Sequence, residues 1–235
     1  MPINIEYQQQ HNVSDKIVEL LNLLLNNMNL LIAISKIDIE IEMCKIKNEP
    51  YDKNRIIEDS LEELEYAGFT DDEEAIKFRE LWDKAEAENQ LGKLLEEIIA
   101  KSGSYLSKYD DYDYSRESKV KETKKDSNFD VIFYCRGTSV IHKKENLVEI
   151  KEQSEFHECK KNVCNEIPYD EKLLSASFKR KLDFILDVKN LTNECFFYIP
   201  TFKYNVTGSE KYLNEHGYKF IEILNIDKII NRYAT

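Results

Sequence analysis

An acid and a lysine two residues apart carry the clearest chemistry in this 235-residue chain. Glu158 and Lys160 lie in a stretch of strand-like composition, and side chains at i and i+2 of a strand point to the same face. Cys159 then faces the interior. Asp130, in the apolar run Phe129–Tyr134, could reach the same site from a neighbouring strand. Two carboxylates hold a hard cation such as Mg²⁺, and a lysine beside it can orient or deprotonate the attacking water and offset charge on a phosphate.

This arrangement resembles the PD-(D/E)xK, or restriction-endonuclease-like, nuclease superfamily over roughly residues 90 to 200. Many members carry the pattern G-x-x-φ-E-E-φ-φ, with φ apolar, in a helix before the sheet, and residues 92–99 of this chain read GKLLEEII. The chain departs from the family at Asn128-Phe129, where the proline would stand. The spacing of 28 between Asp130 and Glu158 (158 − 130) is also long, and it predicts an insertion or an extra hairpin.

The resemblance implies an α+β or α/β fold with a restriction-endonuclease-like core of helix, mixed sheet, helix and strand. It implies a Mg²⁺- or Mn²⁺-dependent endonuclease that hydrolyses DNA or RNA. Asp130, Glu158 and Glu96 would bind the metal, and Lys160 would complete the catalytic set. The organisation is similar to that of phage, mobile-element or antiviral defence nucleases that act inside a complex.

Substrate contacts are expected on both sides of this site. Lys161 and Asn162 extend the active-site strand and are expected to contact the substrate backbone, although ordinary surface polarity explains them as well. Lys179 and Arg180, with Lys181 and Lys189, are predicted to form a basic patch on the following helix. Such a patch is needed because the net charge of −12 argues against binding naked nucleic acid over the whole surface.

Two other constellations compete with this interpretation. Glu149 and Lys151 form a second E-x-K only 19 residues after Asp130 (149 − 130). The pair at 158 and 160 is preferred because its strand leads more directly into the predicted helix near residue 170. Either pair could instead be charges on the exposed face of an edge strand. His157, Cys159 and Cys164 could suggest zinc, but their spacing lacks a C-x₂₋₄-C knuckle and a fourth ligand, so buried thiols are favoured.

The first 90 residues predict an all-α N-terminal region separate from a nuclease-like domain at residues 91–235. Residues 1–12 look like a polar lead-in, and helical periodicity predicts one long helix from Val13 to about Lys47. Further helices are predicted at about 54–66 and from Thr70 to about Ser102, with a break near Gly92. The apolar stripe of the first helix predicts burial against a second copy or a protein partner.

In the second half, strands are predicted to alternate with helices. Ser102 to Asn128 is predicted as a loop with at most one short strand. Strands are expected at 129–135, 147–151, 155–160, 195–199 and 220–224, and helices at 170–190, 210–216 and 226–233.

The composition favours a cytoplasmic protein with reduced thiols. The start of the chain lacks the pattern of a secretory signal peptide, the five cysteines do not have disulfide-framework spacing, and no segment looks long and apolar enough for a membrane span. A second function remains open: an interaction protein that keeps the nuclease-like fold and docks a partner through its acidic helical N-terminus.

Overall fold

An eight-stranded mixed sheet with helices on both faces forms the centre of the molecule. The computed structural model describes residues 2–7, 14–87, 91–106, 111–123, 125–150, 153–168, 174–192 and 195–233. In those residues the strands are β1 Ile3–Glu6, β2 Tyr112–Val120, β3 Asn128–Cys135, β4 Val140–His142, β5 Leu147–Ile150, β6 Glu155–His157, β7 Phe196–Pro200 and β8 Ile221–Leu224. The strand order is β4-β5-β1-β2-β3-β6-β7-β8.

The helices fall into an N-terminal group and a group interleaved with the later strands. They are α1 Asp15–Asn26, α2 Leu30–Lys47, α3 Lys53–Tyr66, α4 Asp72–Ala87, α5 Leu91–Ser102, α6 Val163–Glu166, α7 Ala176–Leu191, α8 Thr207–Glu215 and α9 Ile226–Tyr233. A mixed α/β architecture is therefore confirmed, as are most of the helices and strands expected after residue 128.

The sheet changes from antiparallel to parallel at β6. The pairs from β4 through β3 to β6 are antiparallel, whereas β6, β7 and β8 run parallel. The parallel strands are joined through α7 and α8, since parallel neighbours need a crossover. The long gap between Asp130 and Glu158 is filled partly by the β4–β5 hairpin, which confirms the extra hairpin predicted from that spacing.

Two clusters of buried apolar residues lie on opposite faces of the sheet, each between the sheet and a layer of helices. Helices α1–α5 and α9 pack on one sheet face, where Val131 and Phe133 of β3 are buried. Helices α6–α8 cover the other face, against Ile132, Phe156 and Phe197. Strands buried on both faces require apolar residues at successive positions, which explains the unbroken run of β3.

The predicted long first helix is instead two helices bent by 117°. The Asn27-Met28-Asn29 segment interrupts it, and the Asn27 side chain donates to the carbonyl of Phe69 and to Glu74 at 2.8 and 2.7 Å. Asparagine favours such breaks because its amide competes for backbone and side-chain partners. The alternating segment 37–43 lies inside α2, so the prediction of helix there is confirmed.

Two predictions about strands are wrong. Residues 3–6 are not a polar lead-in: β1 lies inside the sheet, paired with β2 and β5, so the N-terminal region is not all-α. The segment 102–128 is predicted as a loop with at most one short strand; it does contain a strand, β2, but this strand has nine residues and pairs along most of β3. Both segments are polar at alternate or more frequent positions, and partner strands supplied the hydrogen bonds that local composition did not reveal.

The apolar stripe of α1 and α2 is covered within the chain. Ile17, Leu20, Leu24, Ile34 and Ile37 are all fully buried. The observation that suggested a homo-oligomer or a partner at this stripe therefore no longer supports one. The boundary near residue 90 stays a prediction, since α1–α5 share one apolar cluster with β3 and β7.

Among the described residues, no single helix is long and apolar enough to cross a membrane. In the described part of the chain, one sharply bent pair, α1 and α2 taken together, meets that test by length and composition.

Candidate active site

The site lies where β3 and β6 stop pairing. Their last paired residues are Val131 and His157. Beyond that point the backbone N–H groups of Glu158 and Lys160 donate to the carbonyls of Tyr198 and Pro200 in β7, at 3.0 and 2.9 Å. The N–H of Cys159 points the other way and donates to Oδ2 of Asp130 at 2.6 Å. The Asp130 carboxylate thus replaces a backbone carbonyl in the gap between the two strands.

A local break in β2 lies opposite Asp130. Glu117 has a φ of 47°, in the left-handed region that a residue with a Cβ rarely adopts. Its neighbours Arg116 and Ser118 pair with Val131 and Phe129, so Glu117 stands across from Asp130. Val131 and Phe129, although two residues apart, pack into opposite apolar clusters. The alternation of side chains therefore breaks at Asp130, and a strained residue beside a site is a common feature of functional positions.

Glu158 is held between two lysines. Its side chain is 2% exposed, and its carboxylate lies 2.7 Å from Nζ of Lys160 and 2.8 Å from Nζ of Lys181 on α7. Lys181 also donates to the carbonyl of Asn128 at 2.6 Å, which ties α7 to the start of β3. The structure confirms that Glu158 and Lys160 share one face, and that Cys159 is buried in the cluster on the other face.

Helix α5 contributes two neighbouring acids with different surroundings. Glu97 is buried and forms an ion pair with Arg116, whose Nη2 donates to Oε2 at 2.8 Å, so it anchors α5 to β2. Glu96 is only partly buried and interacts electrostatically with Lys160 and Glu158. Glu96 therefore interacts with the Glu158 group, whereas Glu97 pairs with Arg116, and the metal-binding role that the resemblance implies for Glu96 stays a prediction.

The charged side chains of this site shift one another's pKa values. Burial, and next the charge of Glu158, raises the pKa of Asp130 to about 8. Burial and then Glu117 raise the pKa of Glu96. For Lys160, burial lowers the pKa, but the neighbouring charges of Glu158 and Asp130 outweigh burial and raise it overall. Such perturbed groups concentrate at functional sites, although structural ion pairs perturb pKa values too.

The donor set suits a hard divalent cation, because Asp130, Glu158 and Glu96 offer carboxylate oxygens. The raised pKa of Asp130 reflects crowded carboxylates, which a cation would relieve. Within the described ranges, however, no three His, Cys, Asp or Glu side chains are already arranged around one metal position. Glu158 would have to exchange at least one lysine for the ion.

The residues expected to contact substrate are divided between two places. Lys161 lies 2.9 Å from Asp38, and the Asn162 amide donates to Glu42 at 3.2 Å, so both side chains bind α2. Lys179 and Arg180 are exposed on α7. Arg180 lines a cleft of about 310 Å³ together with Lys125, Asp126, Ser127, Ser177 and Lys181, so three cations outnumber one carboxylate there. Because Lys181 reaches Glu158, this basic cleft adjoins the site.

Among the residues that the structure describes, the competing constellations are not assembled near Asp130. Glu149 lies on β5, and β1 and β2 separate β5 from β3, a distance of about 14 Å at normal strand spacing. Lys151 lies outside the described residues. His157 binds Glu155 at 3.0 Å, and the Cys164 thiol contacts the Asn205 carbonyl at 3.5 Å.

Lys181 and Glu117 are site residues that the sequence did not single out within the basic helix and the predicted loop. Lys181 had a usable signal: it borders the buried stripe of Phe178, Leu182 and Ile185, whereas Lys179 and Arg180 lie on the outer side of the helix. Glu117 had none, since its backbone conformation depends on the pairing of β2 with β3.

Searches against protein-family models and against curated proteins found no match to this chain. The class of the site therefore depends on its own geometry.

Proposed function

We propose that this protein is a metal-dependent nuclease of the PD-(D/E)xK type that hydrolyses phosphodiester bonds of DNA or RNA. The observation that carries the proposal is the convergence of Asp130, Glu158 and Lys160 where β3 and β6 separate. Asp130 bonds to the residue between Glu158 and Lys160, and Lys160 lies 2.7 Å from Glu158. Glu96 enters from α5, at the position that the helical motif implies.

In this proposal Asp130, Glu158 and Glu96 would hold Mg²⁺ or Mn²⁺, which when bound supplies Lewis acidity toward a phosphate oxygen and lowers the pKa of water. Lys160 stays a cation at neutral pH, because its pKa is raised by Glu158 and Asp130 against the effect of burial. It can therefore offset phosphate charge and orient water by donating hydrogen bonds. Lys181, 16% exposed, can do the same from α7 once it leaves Glu158.

Substrate would approach along α7. The basic cleft at Arg180 and Lys181 supplies cations and the hydroxyls of Ser127 and Ser177 beside Glu158, in a chain whose net charge is otherwise −12. A local basic surface is what a phosphate backbone requires of an acidic protein. Lys179 and Arg180 are proposed to contact the backbone on this side, and Lys161 and Asn162 remain weaker candidates because α2 binds them.

Lys160→Ala is expected to lower the cleavage rate by about 10² to 10⁴-fold, the usual effect of removing a positioned acid–base or charge-stabilising group. Metal affinity should stay close to that of wild type, because the lysine is not a metal ligand. Glu158→Ala should lose both cleavage and metal affinity. Cleavage is measured on gels with DNA and RNA panels in Mg²⁺ or Mn²⁺, and metal binding by calorimetry.

The control is Lys219→Ala, which removes an exposed lysine from the turn before β8. Equal cleavage by wild type and Lys160→Ala would show that the activity comes from elsewhere. No cleavage and no metal binding by wild type would exclude the nuclease.

A non-enzymatic interaction protein is the second candidate. The observation favouring it is that Lys160 and Lys181 already neutralise Glu158 without a ligand. Absence of metal binding, together with capture of a partner by the acidic helices α3 and α4, would support this function.

A further inference from the structure

A second cleft, of about 340 Å³, lies between the N-terminal helices and the segment that follows Lys160. Its volume is at the low end of the range for small-molecule sites, too small for a folded partner. Helices α2 and α4 form one wall, and the residues before and within α6 form the other. The lining residues used below are Ile37, Asp38, Ile41, Glu42, Lys45, Trp82, Lys161 and Lys203.

Trp82 lines this cleft and carries an unsatisfied donor. The residue is 1% exposed, and its indole N–H has no hydrogen-bond partner among the described residues. Most buried polar groups find a partner, so the unpaired N–H of a residue that lines a cleft is a candidate contact for an acceptor from outside the chain. The ring is fixed by stacking on Phe78, with centroids 5.6 Å apart.

The cleft also carries more positive than negative charge. Lys203, with a side chain 6% exposed, lies 2.6 Å from Glu42, and Lys161 lies 2.9 Å from Asp38. Lys45 makes no ion pair with any described residue. Three lysines and two carboxylates leave a formal charge of +1 (3 − 2) in the cleft, although the whole chain is acidic.

We propose that this cleft binds a nucleoside monophosphate. Lys45 would bind the phosphate together with Lys161, which would leave Asp38 to do so. The Trp82 N–H is closed to solvent, and it would donate to an acceptor on the base edge once the ligand displaces the cleft wall. Ile37 and Ile41 offer an apolar wall for the base, and Glu42 offers an acceptor for a ribose hydroxyl. A nucleoside monophosphate combines a small anionic group, a flat base and an acceptor on the base edge. It therefore fits this lining better than a simple anion does. The inference does not depend on the nuclease proposal.

The test uses the fluorescence of Trp82, which is the only tryptophan of the chain. Full-length protein is titrated with AMP, GMP, CMP and UMP, and with inorganic phosphate as a separate probe. At least one nucleotide should change the emission saturably, and phosphate alone should bind at least ten-fold more weakly. Failure of all four nucleotides, or equal affinity for phosphate alone, would overturn the proposal.

Variants locate the binding. Lys45→Met should weaken nucleotide binding at least five-fold, whereas Lys47→Met, on the same helix but outside the cleft, should not. Trp82→Phe removes the N–H, and calorimetry at a temperature where both proteins are folded should show binding about ten-fold weaker; its Tm is expected to fall as well, because the smaller ring leaves a cavity in the core. Equal weakening by both lysine variants would show non-specific attraction, and unchanged affinity in Trp82→Phe would also refute the site.

Discussion

Asp130 shows how one carboxylate can be both a structural element and a reactive group. It caps the N–H of Cys159 where two strands separate, and it shares its surroundings with Glu158 and Glu96. Burial and like charge disfavour its ionised form, so its pKa rises to about 8. A divalent cation and a proton therefore compete for the same oxygens, and metal binding is expected to strengthen as the pH rises toward that value.

The stability of the protein should depend on the protonation of Asp130. Its pKa is about 8 in the folded chain and about 3.9 when unfolded, so between these values the folded state binds more protons. Stability is then fully present below the unfolded pKa and falls as the pH rises through the folded pKa. Asp130→Asn keeps an acceptor for Cys159 but cannot ionise. The Tm of wild type minus that of Asp130→Asn should fall from pH 5 to pH 9.

The pKa of Glu96 is raised too, so Glu96 also contributes to the pH dependence of the Tm. Subtracting the Tm of Asp130→Asn from that of wild type reduces this contribution, because both proteins contain Glu96. Adding Mg²⁺ at pH 8 should raise the Tm of wild type more than that of Asp130→Asn. Parallel pH profiles for the two proteins would contradict the raised pKa.

At the scale of the element, β6 is fixed from both faces of the sheet. Glu158 faces α7, whereas Glu155, fully buried, faces the segment after α5. The Glu155 carboxylate accepts the N–H groups of Tyr105 and Leu106 at 2.8 and 3.0 Å, the hydroxyl of Ser104, and a bond from His157. This set of bonds holds the exit of α5, and therefore contributes to the position of Glu96.

Glu155→Ala is expected to destabilise the protein by about 3–5 kcal/mol, because it leaves several buried donors without an acceptor. Urea unfolding followed by circular dichroism measures the free energy of unfolding. Glu145→Ala, at an exposed turn between β4 and β5, should change that free energy by less than about 0.5 kcal/mol. A similarly small effect of Glu155→Ala would show that the anchor contributes little.

The break in β2 at Glu117 can be tested by comparing two variants that both remove the carboxylate. A left-handed residue with a Cβ costs about 1–2 kcal/mol, and glycine avoids this cost but loses about 0.5–1 kcal/mol of entropy on folding. Glu117→Gly should therefore be more stable than Glu117→Ala by about 0.5–1 kcal/mol in urea unfolding. If alanine is the more stable variant, the positive φ does not store the expected strain.

At the scale of the whole molecule, β1 connects the β4–β5 hairpin to the rest of the sheet. It precedes all the described helices in the chain, yet it lies between β5 and β2. Residues 3–6 therefore form an internal strand of the sheet that carries the site. Ile3 and Ile5 are buried there with residues of β5 and β3. The sheet therefore depends on pairing between segments more than 100 residues apart, such as Ile5 with Val120.

Ile5→Ala should destabilise the protein by about 2–5 kcal/mol, the usual range for truncating a buried isoleucine. Thermal and urea unfolding would measure it. Val140→Ala, on the edge strand β4 where Val140 is 40% exposed, provides the control and should cost less than about 0.5 kcal/mol. Equal, small losses for the two variants would mean that β1 is not an integral strand.

The sequence by itself determined the local features of this protein. The helices from residue 53 to 66 and from 226 to 233, the strand at Phe129–Cys135 and the shared face of Glu158 and Lys160 follow from periodicity and strand alternation, which neighbouring residues fix. The hairpin between Asp130 and Glu158 followed from spacing alone.

Only the tertiary structure decided which distant groups meet. β1 and β2 are strands because partners far along the chain pair with them. The ion pair between Glu97 and Arg116 depends on how β2 pairs with β3, and the contact of Lys181 with Glu158 depends on how α7 packs. The local sequence carries no signal for such long-range pairing and packing. A charged side chain can form an ion pair with several partners, and the fold decides which of them lies within reach.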